Sequence, residues 1–295
     1  MMKILITGSN GFIGKNLKLS LINKYEIFSP SHKEVVWSDW ESVKNYFNAF
    51  PVEVIIHCAN KPGHRDAKDK NNIAYENLRM FTNLYEAFRK YSVKRFIMLG
   101  SGSVYDMYNY RPRMREEELG LYVPSDETGF SKYMCSKIIL NEPCMVDLRF
   151  FGVFGPYENY AIRFISNAIC KSIKGLPITI KQNRIFDYVY IDDAVKVIQS
   201  FIEKDALYRA YNITSHETVS LLWLAELVRD ISGKDIPILV KEKGLGLEYS
   251  GDNTRLTEFI PQFQFTPLED SIKKLYNWYY ENQKEIDISR LLVDK

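Results

Sequence analysis

The chain has 295 residues, 46% hydrophobic and 26% charged, and 39 Lys plus Arg nearly balance 37 Asp plus Glu to leave a net charge of +2. That is globular composition with length for about two domains, and the charge balance argues against a protein built to coat nucleic acid. No apolar run approaches the roughly 20 residues that cross a bilayer, so no membrane partner is expected.

Residues 3–7 form a short β-branched run that ends in glycine, and 11–24 follow with helical apolar spacing at Phe12, Ile13, Leu17 and Leu21. The chain enters a strand at once, without a signal-peptide pattern, so a cytoplasmic location is expected. Residues 25–28 read as a second strand and 42–50 as a short helix. Residues 52–57 read as a buried strand, because Val54, Ile55 and Ile56 leave no polar face. A long helix is expected over 72–91, a strand over 95–99, a helix over 131–140 and a strand over 145–150. This alternation predicts an α/β fold with a doubly wound parallel sheet covered on both faces. Beyond Phe151 the pattern loosens into helix 162–174, strands 178–181 and 187–191, helix 192–203, strand 210–213 and a helix over 220–231 stopped by Gly233. No Pro/Gly linker and no internal repeat separates the halves. Cys58, Cys135, Cys144 and Cys170 lack CxxC spacing, and His57 sits on an apolar strand without companion ligands. Reduced thiols and no metal site are expected.

The sharpest local signal is the stretch from Thr7 to Gly14, which leaves the first strand and opens the first helix. Gly8 permits a tight turn, Gly11 lets the backbone approach a pyrophosphate, and Gly14 allows close helix–strand packing. The helix N-terminus offers free N–H groups to phosphate. After the second strand stand Ser29, Ser31, His32 and Lys33, where an NAD site usually has an acidic residue for the ribose. That chemistry favours a 2′-phosphate, and so NADP, with NAD as the alternative.

Tyr133 and Lys137 stand four apart on a helix, on one face. An ammonium near a phenol stabilises the phenolate, which makes the pair a candidate proton donor and acceptor. The spacing alone is weak, since Tyr280 and Lys284 repeat it near the C-terminus. Context favours Tyr133, which follows a Ser/Gly-rich strand end at Gly100 to Ser103. A hydroxyl there, Ser101, can bond a substrate carbonyl.

These motifs together resemble the extended short-chain dehydrogenases/reductases of the nucleotide-sugar epimerase, dehydratase and reductase branch, and most closely its GDP-fucose synthase-like reductases. Gly8, Gly11 and Gly14 match the cofactor loop, Val54 to Ala59 the strand bordering the cofactor, and Asn77 the helical Asn. Ser101 stands three before Val104 and Tyr105, as the branch's catalytic hydroxyl does. Tyr133 and Lys137 match its catalytic pair, and Leu148 to Pro156 and Tyr188 to Asp193 match two further stretches. The resemblance implies a Rossmann domain over residues 1–153 and 187–214, and a smaller α/β substrate domain over 154–186 and 215–295. It implies catalytic Ser101, Tyr133 and Lys137. It implies cofactor contacts from Gly8, Asn10, Gly11, Phe12, Ile13, Gly14, Ser31, His32, Lys33, Cys58, Ala59, Asn60, Asn77, Tyr133 and Lys137. A nucleotide-diphosphate sugar would meet Ser103, Gly152, Arg163, Arg184 and Arg255, and a homodimer would form through helices 72–91 and 131–140.

Departures narrow the chemistry. Gly102 and Ser103 stand where dehydratases carry an Asp-Glu pair, and Ser103 replaces the cysteine of the epimerising reductases. Phe186 stands where many members bind diphosphate with Arg. The expected reaction is NADP-dependent reduction of a keto group, at carbon 4, on a nucleotide-linked deoxysugar. A 4-epimerase with bound NAD and a non-catalytic cofactor sensor are the alternatives.

Overall fold

The computed structural model of the protein describes residues 1–64 and 66–292. Its first half runs β1 (Lys3–Thr7), α1 (Phe12–Leu21), β2 (Glu26–Phe28), α2 (Trp40–Ala49), β3 (Val54–His57), α3 (Ile73–Lys90), β4 (Arg95–Ser101), α4 (Glu127–Ile139) and β5 (Met145–Phe150). The second half runs β6 (Val153–Phe154), α5 (Phe164–Ile173), β7 (Ile178–Asn183), β8 (Ile185–Asp187), β9 (Val189–Tyr190), α6 (Ile191–Glu203), β10 (Ala210–Ile213), β11 (Thr218–Ser220), α7 (Leu221–Ser232), β12 (Ile238–Leu245), α8 (Thr254–Phe259) and α9 (Leu268–Glu281).

Six strands form one parallel sheet in the order β2-β1-β3-β4-β5-β10. Alternate side chains on each strand point to opposite faces. Leu5, Ile55, Phe96, Met98 and Met145 pack under α2, α3 and α4 through Val43, Phe47, Phe81, Leu84, Cys135 and Ile139. Ile4, Ile6, Val54, Ile56, Ile97, Leu99, Val146 and Leu148 face the other way, onto Leu17 and Leu21 of α1 and Val197 and Ile198 of α6. The same core continues into α5, α7 and α9, so both halves share one apolar interior. Strand order reverses between β1 and β3, and their carboxyl ends open a crevice there. Among the described residues no helix is long and apolar enough to cross a membrane.

Three sequence expectations shift. Residues 187–191 are not one strand: β8 pairs antiparallel with β11, β9 pairs parallel with β6, and the chain changes partner at Tyr188. The helix expected at 131 begins at Glu127, because the Asp126 carboxylate accepts from the Gly129 amide at 2.8 Å and caps it. Gly129 in the first turn hid that start. Finally, β12 was not foreseen; it is a largely exposed strand that pairs parallel with β7.

One buried charge network ties the sheet to α4. Arg149 on β5 is fully buried. It donates to Asp147 at 2.9 Å, to Ser136 of α4 at 2.7 Å and to the Tyr105 hydroxyl at 2.7 Å. Tyr105 in turn donates to Asn212 of β10 at 2.7 Å. Removing one partner of a buried pair leaves an uncompensated charge and costs roughly 3–5 kcal/mol. Arg149→Met should lower unfolding free energy by about that much in urea denaturation. A loss near the surface-pair range of about 0–1 kcal/mol would show that the network does not hold α4 in place.

Candidate active site

The crevice between β1 and β3 is shaped by what cannot fit. Gly8 has φ of +65°, and a Cβ there would lie 2.7 Å from the Ala59 backbone. A Cβ on Gly14 would lie 2.4 Å from the Gly8 carbonyl oxygen. Both contacts forbid a side chain, so α1 stands directly behind the turn with its N-terminal amides facing the opening. The Thr7 hydroxyl accepts from the amides of Cys58 at 3.2 Å and Ala59 at 3.1 Å. Its proton therefore goes to His57 Nδ1 at 2.9 Å, which fixes the proton of that imidazole on Nε2. Burial, helped by the Lys132 charge, holds His57 down at a pKa of about 3, so it stays neutral. It is a packed strand residue between Phe81 and Phe96.

The crevice encloses about 650 Å³ and is lined by Gly8, Asn10, Gly11, Ser31, His32, Cys58, Ala59 and Asn60 of the expected cofactor residues. The glycine cradle and the helix N-terminus fit a pyrophosphate-containing dinucleotide. Phe12, Ile13, Gly14, Lys33 and Asn77 do not line it. Gly14 acts by packing on Gly8, and Lys33 is exposed. Asn77 pins the following loop, accepting from the Lys61 amide at 2.7 Å and donating to its carbonyl at 3.2 Å. Sequence reasoning missed Trp37, Lys61 and Glu76 in the lining, which come from loops and a helix without a motif. It also missed Glu34, whose carboxylate accepts from both the amide and the hydroxyl of Ser31 at 2.7 Å. Those bonds lower its pKa, so a negative charge stands on Ser31 at neutral pH.

The expected pair Tyr133 and Lys137 does not reach the crevice. Neither lines it, Lys137 is exposed, and both side-chain ends lie 3.8 Å from where Gly120 would carry a Cβ. The lysine that reaches the strand ends is Lys132. Its ammonium donates to the Leu99 carbonyl of β4 at 2.9 Å, and it feels the charge of Asp147. Burial pushes its pKa down. Thr128 lies one turn earlier on the same face, beside Gly63. The physical reason for the correction is helix rotation. Ser136 faces the sheet to bond Asp147 at 2.6 Å, which turns Lys132, four residues before it, inward, and Lys137 outward.

At the end of β4, Ser101 accepts from the Ser103 amide at 3.1 Å. The Ser103 hydroxyl is buried without a hydrogen-bond partner among the described residues, an acceptor and donor that a ligand can satisfy. Aromatic rings wall this end: Tyr249 lies 4.9 Å from Phe151, 4.8 Å from Tyr110 and 5.8 Å from Phe186. Arg163, at the start of α5, is exposed and acts electrostatically on Tyr249, Tyr188 and His64. The other expected substrate contacts are otherwise engaged. Arg184 stacks 5.6 Å over Phe186 and donates to the Leu247 carbonyl at 3.0 Å. Arg255 pairs with Glu116 and Glu117, lies 4.6 Å over Tyr208 and donates to the Ala210 carbonyl of β10. Gly152 admits the neighbouring chain, since a Cβ there would lie 2.6 Å from the Asp187 carbonyl oxygen.

A profile described as the NAD dependent epimerase/dehydratase family matches residues 4–214. Among solved structures, the UDP-glucose 4-epimerase of Thermotoga maritima, with UDP-glucose, superposes with a TM-score of 0.83 at 23% identity, over 95% of this chain and 99% of that one. The GDP-mannoheptose C4 reductase of Campylobacter jejuni, with NADP bound, gives 0.80 at 19% identity, over 94% and 98%. In sequence, a UDP-glucose 4-epimerase of Bacillus subtilis is 24% identical over 288 residues, covering 80% of this chain and 84% of that protein.

The geometry makes the two lysines distinguishable. A charge-assisted hydrogen bond contributes about 1.5–3 kcal/mol, roughly ten-fold or more in affinity. Lys132→Met should weaken dinucleotide binding by about that factor in a fluorescence titration. Lys137→Met should leave it within about two-fold, a change too small for the loss of such a bond. The reverse ranking would return the role to Lys137.

Proposed function

The chain belongs to the NAD dependent epimerase/dehydratase family, and from that membership we propose that it reduces a keto group, at carbon 4, of a nucleotide-linked deoxysugar with NADPH. The observation that carries the reading is that Lys132 reaches the end of β4, donating to the Leu99 carbonyl two residues before Ser101. A reduced nicotinamide bound there supplies hydride. Lys132 holds the adjoining ribose hydroxyls, and Ser101 donates a hydrogen bond to the sugar carbonyl, whose oxygen gains negative charge as hydride arrives. Arg163 meets the diphosphate, and Ser103 bonds a sugar hydroxyl. Reduction without epimerisation of neighbouring carbons is favoured because Gly102 and Ser103 offer no group able to take a proton from carbon at neutral pH.

The same proposal takes residues 1–153 and 187–214 as the cofactor-binding unit, because β10 completes the sheet. Residues 154–186 and 215–295 then hold the sugar nucleotide. A cytoplasmic homodimer, paired through α3 and α4, belongs to the proposal too.

Turnover of a panel of nucleotide-linked 4-keto sugars, followed at the nicotinamide absorbance, is the test. One NADPH consumed per alcohol formed is expected. A sugar converted with no net loss of NADPH would replace the reading with a 4-epimerase. Cofactor choice has its own test. His32 and Lys33 favour a 2′-phosphate, while the Glu34 carboxylate at Ser31 opposes it. NADPH should bind the wild type more tightly than NADH. Glu34→Gln should widen that gap several-fold, through tighter NADPH binding with NADH unchanged. Tighter NADH binding by the wild type would overturn the NADP assignment.

A further inference from the structure

The inward face of α4 carries Thr128, Lys132 and Ser136, and no phenol. An aliphatic hydroxyl is a far weaker acid than a tyrosine, whose pKa is near 10. Carbonyl reduction still needs a proton on the new alkoxide. One phenol does reach the catalytic hydroxyl, from 148 positions away in sequence. The Tyr249 hydroxyl lies over Gly102, directly beside Ser101, with its ring 4.8 Å from that of Tyr110, and both neighbouring hydroxyls act on its proton affinity. A Cβ on Gly102 would lie 2.8 Å from it, so a glycine is required for this approach. Tyr110 is spoken for on its donor side, bonding the Gly102 carbonyl at 2.8 Å. The backbone holds Tyr249 firmly: its amide donates to the Ile185 carbonyl at 2.8 Å, and its carbonyl accepts from the Asp187 amide at 3.1 Å. Tyr249 as a residue is half-buried.

We propose that Tyr249 is the proton donor of the reaction, the phenol that α4 does not supply. This rests on the reductase reading above. The carbonyl carbon gains hydride from the reduced nicotinamide, and the electron pair of the C=O π bond moves to oxygen. That oxygen takes the proton of Tyr249 as the phenolic O–H bond breaks, and the phenolate is reprotonated from water. The sum is one reduced dinucleotide and one proton consumed for each alcohol formed. Burial raises the Tyr249 pKa, while Ser101, Tyr110 and the nearby Arg163 lower it. Asp126 and Asp106 act electrostatically on its neighbour Tyr110. The group is therefore a protonated acid at neutral pH, and Arg163 and Ser101 stabilise its conjugate base while it waits for a proton.

The test compares three variants on holoenzyme. Tyr249→Phe keeps the ring and its packing; kcat should fall by about 10²-fold or more, with dinucleotide affinity within about two-fold, far less than the loss of a charge-assisted bond would cause. Tyr133→Phe should retain wild-type kcat. Adding Thr128→Tyr to Tyr249→Phe places a phenol one turn from Lys132 and should restore turnover at least ten-fold. A second readout needs no turnover. The ¹³Cζ tyrosine resonance that vanishes in Tyr249→Phe should titrate at lower pH once NADP⁺ binds, because the oxidised nicotinamide ring is cationic. Tyr249→Phe with more than half the wild-type kcat, or a resonance that NADP⁺ does not move, would overturn the proposal. Should the wild type reduce no keto sugar, the reductase reading falls, and the resonance alone still decides whether Tyr249 faces the nicotinamide.

Discussion

Everything in the cofactor half depends on how closely two stretches of backbone can approach. The turn after β1 passes so near the end of β3 that only hydrogen fits on Gly8, and α1 presses on that turn so tightly that only hydrogen fits on Gly14. Thr7 locks the approach from beneath, its single hydroxyl bonding the amides of Cys58 and Ala59 and the ring of His57. The crevice is thus closely packed at this turn, and Thr7 and His57 are already paired there before any ligand arrives. What remains free to point at a ligand is the row of amides opening α1, which is how a helix terminus binds an anion.

A second constraint sets what the crevice can do. Arg149 and Asp147 are buried together, and Ser136 of α4 faces Asp147 and donates to the same carboxylate oxygen that Arg149 bonds. That single bond fixes the rotation of the helix about its axis. Each residue advances by about 100°, so fixing Ser136 inward fixes Lys132 inward and leaves Lys137 in solvent. Gly100 is part of the same arrangement, because a side chain there would collide with the Asp147 carboxylate at 2.0 Å. The ammonium that meets the strand ends is chosen by a charge pair on the neighbouring strand.

Much of this was legible in the sequence, and the failures are instructive. The glycine spacing, the apolar strands and the sheet they build follow from local patterns of period two and 3.6, and these are carried by residues near one another. The helical register of the inward lysine is not of that kind. Two tyrosine-or-hydroxyl pairs with lysine overlap on α4, Thr128 with Lys132 and Tyr133 with Lys137, and spacing treats them alike. Only Asp126 as the cap and Ser136 as the inward contact distinguish them, and the second depends on a partner eleven residues on, across a strand. Arg255 looked like a phosphate ligand for the same reason: nothing local announces that Glu116 and Glu117, far back in the chain, will hold it.

Tyr249 lies beyond any such reading, since its partner Ser101 sits on another strand, in the other half of the chain. Its position follows from the backbone pairing of residues 185–187 with residue 249, and that pairing also carries Phe186 into the aromatic wall. The consequence is a division of labour between the halves. The sheet supplies the dinucleotide crevice, Lys132 and Ser101. The remainder supplies Arg163 and the phenol. On the proposed reading, with the acid on the half that would hold the sugar, proton delivery is coupled to substrate binding. Until a sugar brings its carbonyl between Ser101 and Tyr249, a dinucleotide held by the sheet would have no hydride acceptor beside that acid.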